Sequence, residues 1–205
     1  MENFLKQNRI DWLYHFTRAE NLPSILKYGL LPRETLELSC IDSQFNDNYR
    51  YDKCLNAVCM SIEFPNYRMF YKYRKQNPSI DWVVIRLDAQ ILCDYECVYC
   101  WTNAGSANMY DTSIEERMGK EAFFDLFKDR NGYPQRDELN IPMYYPTNPQ
   151  AEVLVLGSIP VSYIQKIYVN STSTLMKYKD IVPHNIDILI ESEAFSYRKD
   201  WSFWQ

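Results

Sequence analysis

Residues 14–32 read YHFTRAENLPSILKYGLLP. A short apolar stretch ends in His15-Phe16-Thr17, and a helical run follows directly. Leu22, Ile25 and Leu26 share one helix face, Glu20 and Asn21 stand at its start, and Gly29 stops it. A strand is therefore expected over 10–17 and a helix over 19–29. His15, one of two histidines in the chain, falls at the switch between them, beside a helix N-terminus of the kind that favours phosphate.

Working outward, DWVVIRLDAQIL (81–92) is the clearest strand, with Val83, Val84, Ile85 and Leu87 in one run before a turn. NAVCMSIEF (56–64), AEVLVLGSI (151–159) and the start of DILIESEAFSYRKDWSFW (187–204) are read as further strands, VYCWTNAGSA (98–107) as a strand running into a small-residue loop, and VSYIQKIYVN (161–170) as a short helix or turn followed by a strand. PNYRMFYKYRKQ (65–76), opened by Pro65, and SIEERMGKEAFFDLF (113–127) are read as helices. The stretches 34–53 and 128–150 are polar and aperiodic, which predicts long loops, the first with some helix; such loops in a compact domain are usually functional or disordered. Strands and helices mix without βαβ alternation, so the expected class is α+β.

The 205 residues, 46% hydrophobic and 16% aromatic, suffice for a single domain spanning 1–205. Net charge is -5, which excludes a global field for nucleic acid and leaves only a local basic patch. No apolar run approaches the ~20 residues of a membrane span, and no signal peptide is evident, so a cytoplasmic protein is expected. CDYECVYC (93–100) resembles half a zinc site. No second ligand pair stands at standard spacing, so no metal is expected.

Three pieces carry chemistry. HFT at 15–17 has Asn21 four residues after Thr17; Arg50 lies in the polar loop before the second strand; and NPQAEVLVLG (148–157) brings Glu152 into an apolar strand directly after a long loop. Taken alone, a strand-end histidine is more often structural, and an acid that opens a strand is more often an exposed one. The joint order, with NLPSIL (21–26), Gly29 and RKDW (198–201), resembles the DarT family of nucleic-acid ADP-ribosyltransferases, toxin halves of bacterial toxin–antitoxin pairs.

This resemblance implies an ADP-ribosyltransferase-type fold, two small packed β-sheets around an NAD⁺ cleft with flanking helices. It implies Glu152 and Arg50 as catalytic residues, and His15, Phe16, Thr17, Asn21, Ser24, Leu31 and Arg50 as NAD⁺-binding residues. The acceptor would be a nucleobase of single-stranded DNA, with RNA as the alternative. The partner would be an antitoxin that removes ADP-ribose, and the setting toxin–antitoxin or phage defence. A catalytically inactive nucleic-acid-binding module is the reading outside the enzyme class. Where thymine-modifying members carry a DYVPFYF strand, this chain has NAVCMSIEFPNYRMF, so the resemblance leaves the base and the kind of nucleic acid open. Arg68, Lys72 and Arg74, interleaved with aromatic residues, suit single-stranded nucleic acid. Asn103, Tyr144 and Tyr145 are candidates to flank or stack on the base.

Overall fold

The computed structural model describes residues 1–41, 43–44 and 54–205. The first half of the chain contains α1 (Glu2–Asn8), β1 (Trp12–Arg18), α2 (Leu22–Tyr28), α3 (Arg33–Leu38), β2 (Ala57–Ile62), α4 (Tyr67–Gln76), β3 (Trp82–Asp88), α5 (Ile91–Asp94) and β4 (Cys97–Cys100). The second half contains α6 (Gly119–Asp125), α7 (Arg136–Leu139), β5 (Glu152–Leu156), β6 (Ile164–Val169), α8 (Thr172–Tyr178) and β7 (Asp187–Ile190). The class is mixed α+β, as expected.

The strands form one sheet in the order β4-β5-β2-β1-β3-β6-β7, where two separate sheets were expected. All neighbours are antiparallel except β6 and β7. The seam between its halves is β1–β2. These strands pair only through Leu13–Ile62 and Tyr14–Ser61, whereas β1 pairs with β3 along its full length, from Trp12–Asp88 to Arg18–Trp82. Beyond Tyr14, His15 and its neighbours keep their β3 partners but face a gap on the β2 side, and that gap is the cleft.

β3 explains why the sheet holds together around this opening. Val83, Val84, Ile85 and Leu87 are fully buried. Val83, Ile85 and Leu87 face the main core, which runs from Leu5 to Ile186. Val84 faces a second cluster with Phe70, Trp82, Tyr168 and Phe195. A strand buried on both faces reads as a continuous apolar run, which is why 83–87 was so legible.

Other elements differ from the sequence reading. The expected helix over 113–127 breaks at Gly119, whose φ of 83° is left-handed, leaving a short 3₁₀ turn (Glu115–Arg117) before α6. Helix α4 is opened by Asn66, whose Oδ1 accepts from the Met69 N–H at 3.2 Å; Pro65 precedes this cap. α8 was not anticipated, because its Ser- and Thr-rich sequence has weak helical propensity. It forms on a cap in which the Ser171 hydroxyl accepts from the Thr174 N–H.

Candidate active site

The gap between β1 and β2 opens into a cavity of about 200 Å³. Its walls include His15, Phe16 and Thr17 of β1, Ser24 of α2, Cys59 of β2 and Glu152 of β5. His15 spans the parted strands: its Nδ1 lies 2.9 Å from the carbonyl oxygen of Cys59. A carbonyl only accepts, so Nδ1 carries the proton and a neutral ring leaves Nε2 as an acceptor. Burial lowers the His15 pKa below its ordinary value and favours that neutral form.

Glu152, 6% exposed, is the buried acid of the cavity. It enters as the first residue of β5, paired with Cys100 of β4. Each carboxylate oxygen receives an N–H. Asn66 Nδ2 donates to Oε1 at 3.3 Å, and the backbone N–H of Ala104 donates to Oε2 at 2.7 Å. Asn66 is 1% exposed. It also donates its own N–H to the Ser61 hydroxyl at 3.1 Å, so one residue joins β2, α4 and Glu152. Two donors on an acid in a strand give a rigidly aimed negative charge, the form of group that stabilises developing positive charge. Neither Asn66 nor the Ala104 N–H was foreseen. The only signal for Asn66 was its N-cap position in FPNY, and a backbone donor leaves no signal in a sequence.

The loop that delivers Glu152 is held by the RKDW segment. Arg198 forms a bidentate pair with Asp200, Nε to Oδ1 at 2.7 Å and Nη2 to Oδ2 at 2.6 Å. It also donates to the carbonyls of Pro146 at 2.8 Å and Thr147 at 3.0 Å. Trp204 Nε1 donates to Asp200 Oδ2 at 2.9 Å. Both charges are 2% exposed. From the other side, Arg136 donates to the Tyr145 carbonyl at 2.8 Å, the Thr147 hydroxyl at 3.0 Å and the Pro142 carbonyl at 3.0 Å. The long aperiodic stretch before Glu152 is thus tied down at its C-terminal end.

The remaining candidates fall into groups. Phe16, Leu31 and Asn103 line the cavity; Phe16 also stacks on Phe70 at 4.6 Å, and Asn103 Oδ1 accepts from the Gly105 N–H at 3.0 Å. Asn21 lines the cavity but spends its amide on the chain: Nδ2 donates to Thr17 Oγ1 at 2.9 Å and to the Gln44 carbonyl at 3.0 Å, and Oδ1 accepts from the Gln44 N–H at 2.8 Å. It clamps the segment around Gln44 to β1. Ser24 Oγ donates to the Asn21 carbonyl at 2.9 Å. Arg50 lies outside the described residues. Arg68 and Lys72 are exposed on α4. Arg74 departs from the expected basic patch: its Nη2 donates to the Phe195 carbonyl at 2.6 Å and its guanidinium lies over Phe70, so it tethers the C-terminal segment to α4. Tyr144 and Tyr145 contact each other edge-on at 4.9 Å, and Tyr145 meets Phe64 at 6.1 Å. Burial pushes the Tyr145 hydroxyl up to about 12, so it is a neutral donor. Among the described residues, no three His, Cys, Asp or Glu side chains are grouped to hold a metal ion, and no helix is long and apolar enough to cross a membrane.

No curated protein sequence matches the chain. Solved structures match in fold, among them the following three. Thermosipho africanus DarTG in complex with ADP-ribose is 18% identical, with a TM-score of 0.58 over 90% of this chain; this chain spans only 50% of that one. Thermus sp. 2.9 DarT in complex with NAD⁺ is 16% identical, with a TM-score of 0.56 over 91% of this chain and 97% of that one. The same Thermus protein in complex with ADP-ribosylated ssDNA is 15% identical, with a TM-score of 0.59 over 90% and 96%. A family model described as "ssDNA thymidine ADP-ribosyltransferase, DarT" matches residues 14–201, and the chain belongs to that family.

Proposed function

We propose that this chain, as one domain over 1–205, transfers ADP-ribose from NAD⁺ to a base of single-stranded DNA, thymidine being the base that the family description names. The observation that carries the reading is Glu152, buried in the same cavity as the neutral acceptor His15 and aimed by Asn66 and Ala104. The nicotinamide–ribose bond breaks, and positive charge develops at the ribose carbon. The Glu152 carboxylate stabilises that charge, as carboxylates do in glycoside chemistry. The base nitrogen then bonds to the ribose carbon and sheds a proton. Glu152 is the carboxylate in place to receive it. Nicotinamide leaves with the electrons of the broken bond.

His15 Nε2 accepts from a ribose hydroxyl of NAD⁺, with Phe16, Thr17, Ser24 and Leu31 as the surrounding wall. Arg50 forks onto the pyrophosphate, a role that rests on the family resemblance. Asn103, Tyr144 and Tyr145 receive the base. NAD⁺ is consumed as a co-substrate, in the cytoplasm. A partner antitoxin that removes ADP-ribose would make this activity the toxic half of a pair.

The test is label transfer from NAD⁺ to matched single-stranded DNA, single-stranded RNA and a protein mixture. Label on DNA supports the reading. Label on RNA alone moves the acceptor, and label only on protein rejects a nucleic-acid substrate. No NAD⁺ turnover at all would leave a binding module.

A further inference from the structure

Helix α4 and the C-terminal segment meet in an aromatic seam. Tyr67 packs edge-on against Tyr197 with ring centroids 5.7 Å apart. Tyr71 lies 5.5 Å from Tyr197, and Tyr197 lies 5.4 Å from Trp201. Tyr67 is inside, with a buried hydroxyl that has no hydrogen-bond partner. Tyr71, Tyr197, Trp201 and Phe203 are 42–49% exposed. Burial of rings does not require so much aromatic surface left in water.

The charge beside the seam is one-sided. Residues 66–76 contain Arg68, Lys72, Arg74 and Lys75 and no acid; residues 196–205 contain Arg198, Lys199 and one acid, Asp200. Asp200 is buried and taken by Arg198. Arg68, Lys72, Lys75 and Lys199 are exposed. The exposed charge of both segments is therefore wholly positive, in a chain whose net charge is -5. Aromatic faces among cations suit an unpaired polynucleotide, whose bases stack while its phosphates meet the cations. The seam also begins one residue from the support of Glu152, because Asn66, which donates to that carboxylate, is the residue before Tyr67 and caps the same helix.

We propose that this seam is a second subsite, for the stretch of single-stranded DNA that flanks the modified nucleotide. Tyr71, Tyr197 and Trp201 offer stacking faces, and Arg68, Lys72 and Lys199 meet the phosphates. The inference rests on reading the cavity as a site of ADP-ribosyl transfer to single-stranded DNA.

The experiment compares thymidine-containing oligonucleotides of about 4 and about 16 nucleotides, the span of typical single-strand sites. KM for the wild-type protein should be ~10-fold lower for the longer strand, the size of one good stacking contact. Tyr71→Ala, Trp201→Ala and Lys199→Glu should erase that gain, with kcat on the short strand and NAD⁺ turnover unchanged. Thermal melts check the fold, and the two exposed changes Tyr71→Ala and Lys199→Glu carry the test if Trp201→Ala does not fold. Variants that keep the full length dependence would overturn the subsite and leave the seam to a protein partner. If the wild type labels neither strand, the reading of the cavity has failed. Fluorescence anisotropy of the 16-mer then still decides the seam: weaker binding in the variants supports it, and unchanged binding rejects it.

Discussion

Glu152 depends on a residue that does no chemistry. Asn66 caps α4 with Oδ1 and aims Glu152 with Nδ2. Asn66→Ser keeps a capping oxygen but cannot reach the carboxylate. It should keep the cap, cost about 1–3 kcal/mol of stability for the donor lost by a buried carboxylate, and lower kcat ~10-fold or more, with KM for NAD⁺ little changed. Equal kcat in the folded variant would remove Asn66 from the site. His15 gives a pH signature. Its pKa lies below the ordinary 6.5 because of burial, so the neutral acceptor persists as pH falls through 6.5. NAD⁺ affinity measured by calorimetry should stay level through that pH and weaken only below it; a break at or above 6.5 would contradict the assignment. Glu63 acts in the opposite sense. It closes the β1–β2 junction by accepting from the Asp11 and Trp12 N–H groups, and burial raises its pKa from 4.5 to about 7. Between those values the folded state holds a proton that the unfolded state has lost. The protonated Glu63 therefore stabilises the fold at low pH, and that stabilisation is lost as pH rises through 7. Glu63→Gln keeps an acceptor without the charge and should flatten this slope, by on the order of 1 kcal/mol across the window. Denaturant melts at pH 5 and pH 8 measure it.

The β1–α2 unit was legible because each feature has a local cause: an apolar stretch, a helical face and a glycine stop. Gly29 has φ 83°, and a Cβ there would collide with the backbone oxygen of Ile159, whose strand-like bridge to Leu30 closes this corner. Gly29→Ala should destabilise by about 1–3 kcal/mol, read from a denaturant midpoint. β5 was legible for a similar reason, since EVLVL is an apolar run after a loop. The break at Gly119 was not, because the apolar spacing of Met118, Ala122, Phe123 and Phe127 continues across it. Nor was the work of RKDW, which ties together residues far apart in sequence. Arg198 reaches Pro146 and Thr147 to brace the loop before Glu152. Removing one member of a buried pair costs about 3–5 kcal/mol, so Asp200→Ala should lower Tm sharply. Arg198→Lys, which cannot fork, should cost less stability but still slow transfer by loosening that loop. A variant with wild-type kcat would show the brace to be irrelevant to the site.

The sheet parts at β1–β2 and gathers His15, Glu152 and the walls of one cavity from both halves, an arrangement no local pattern announces. The expectation of two sheets arose from the family resemblance; the short β1–β2 pairing at Leu13–Ile62 and Tyr14–Ser61, beside the full-length pairing of β1 with β3, joins them into one. With net charge -5, phosphate contacts are confined to a local surface. Transfer at sub-saturating DNA should fall with salt along a shallow slope of only a few released ions. A blunt duplex should resist modification, since extracting a paired base costs a few kcal/mol. The most direct measurement is mass spectrometry of nucleosides released from single-stranded DNA after incubation with NAD⁺ and either the wild-type protein or Glu152→Gln. The account predicts an ADP-ribosylated thymidine with the wild type and at least ~10²-fold less with the variant at unchanged fold. Equal yields from the two proteins, or wild-type NAD⁺ turnover with unmodified DNA, would contradict it.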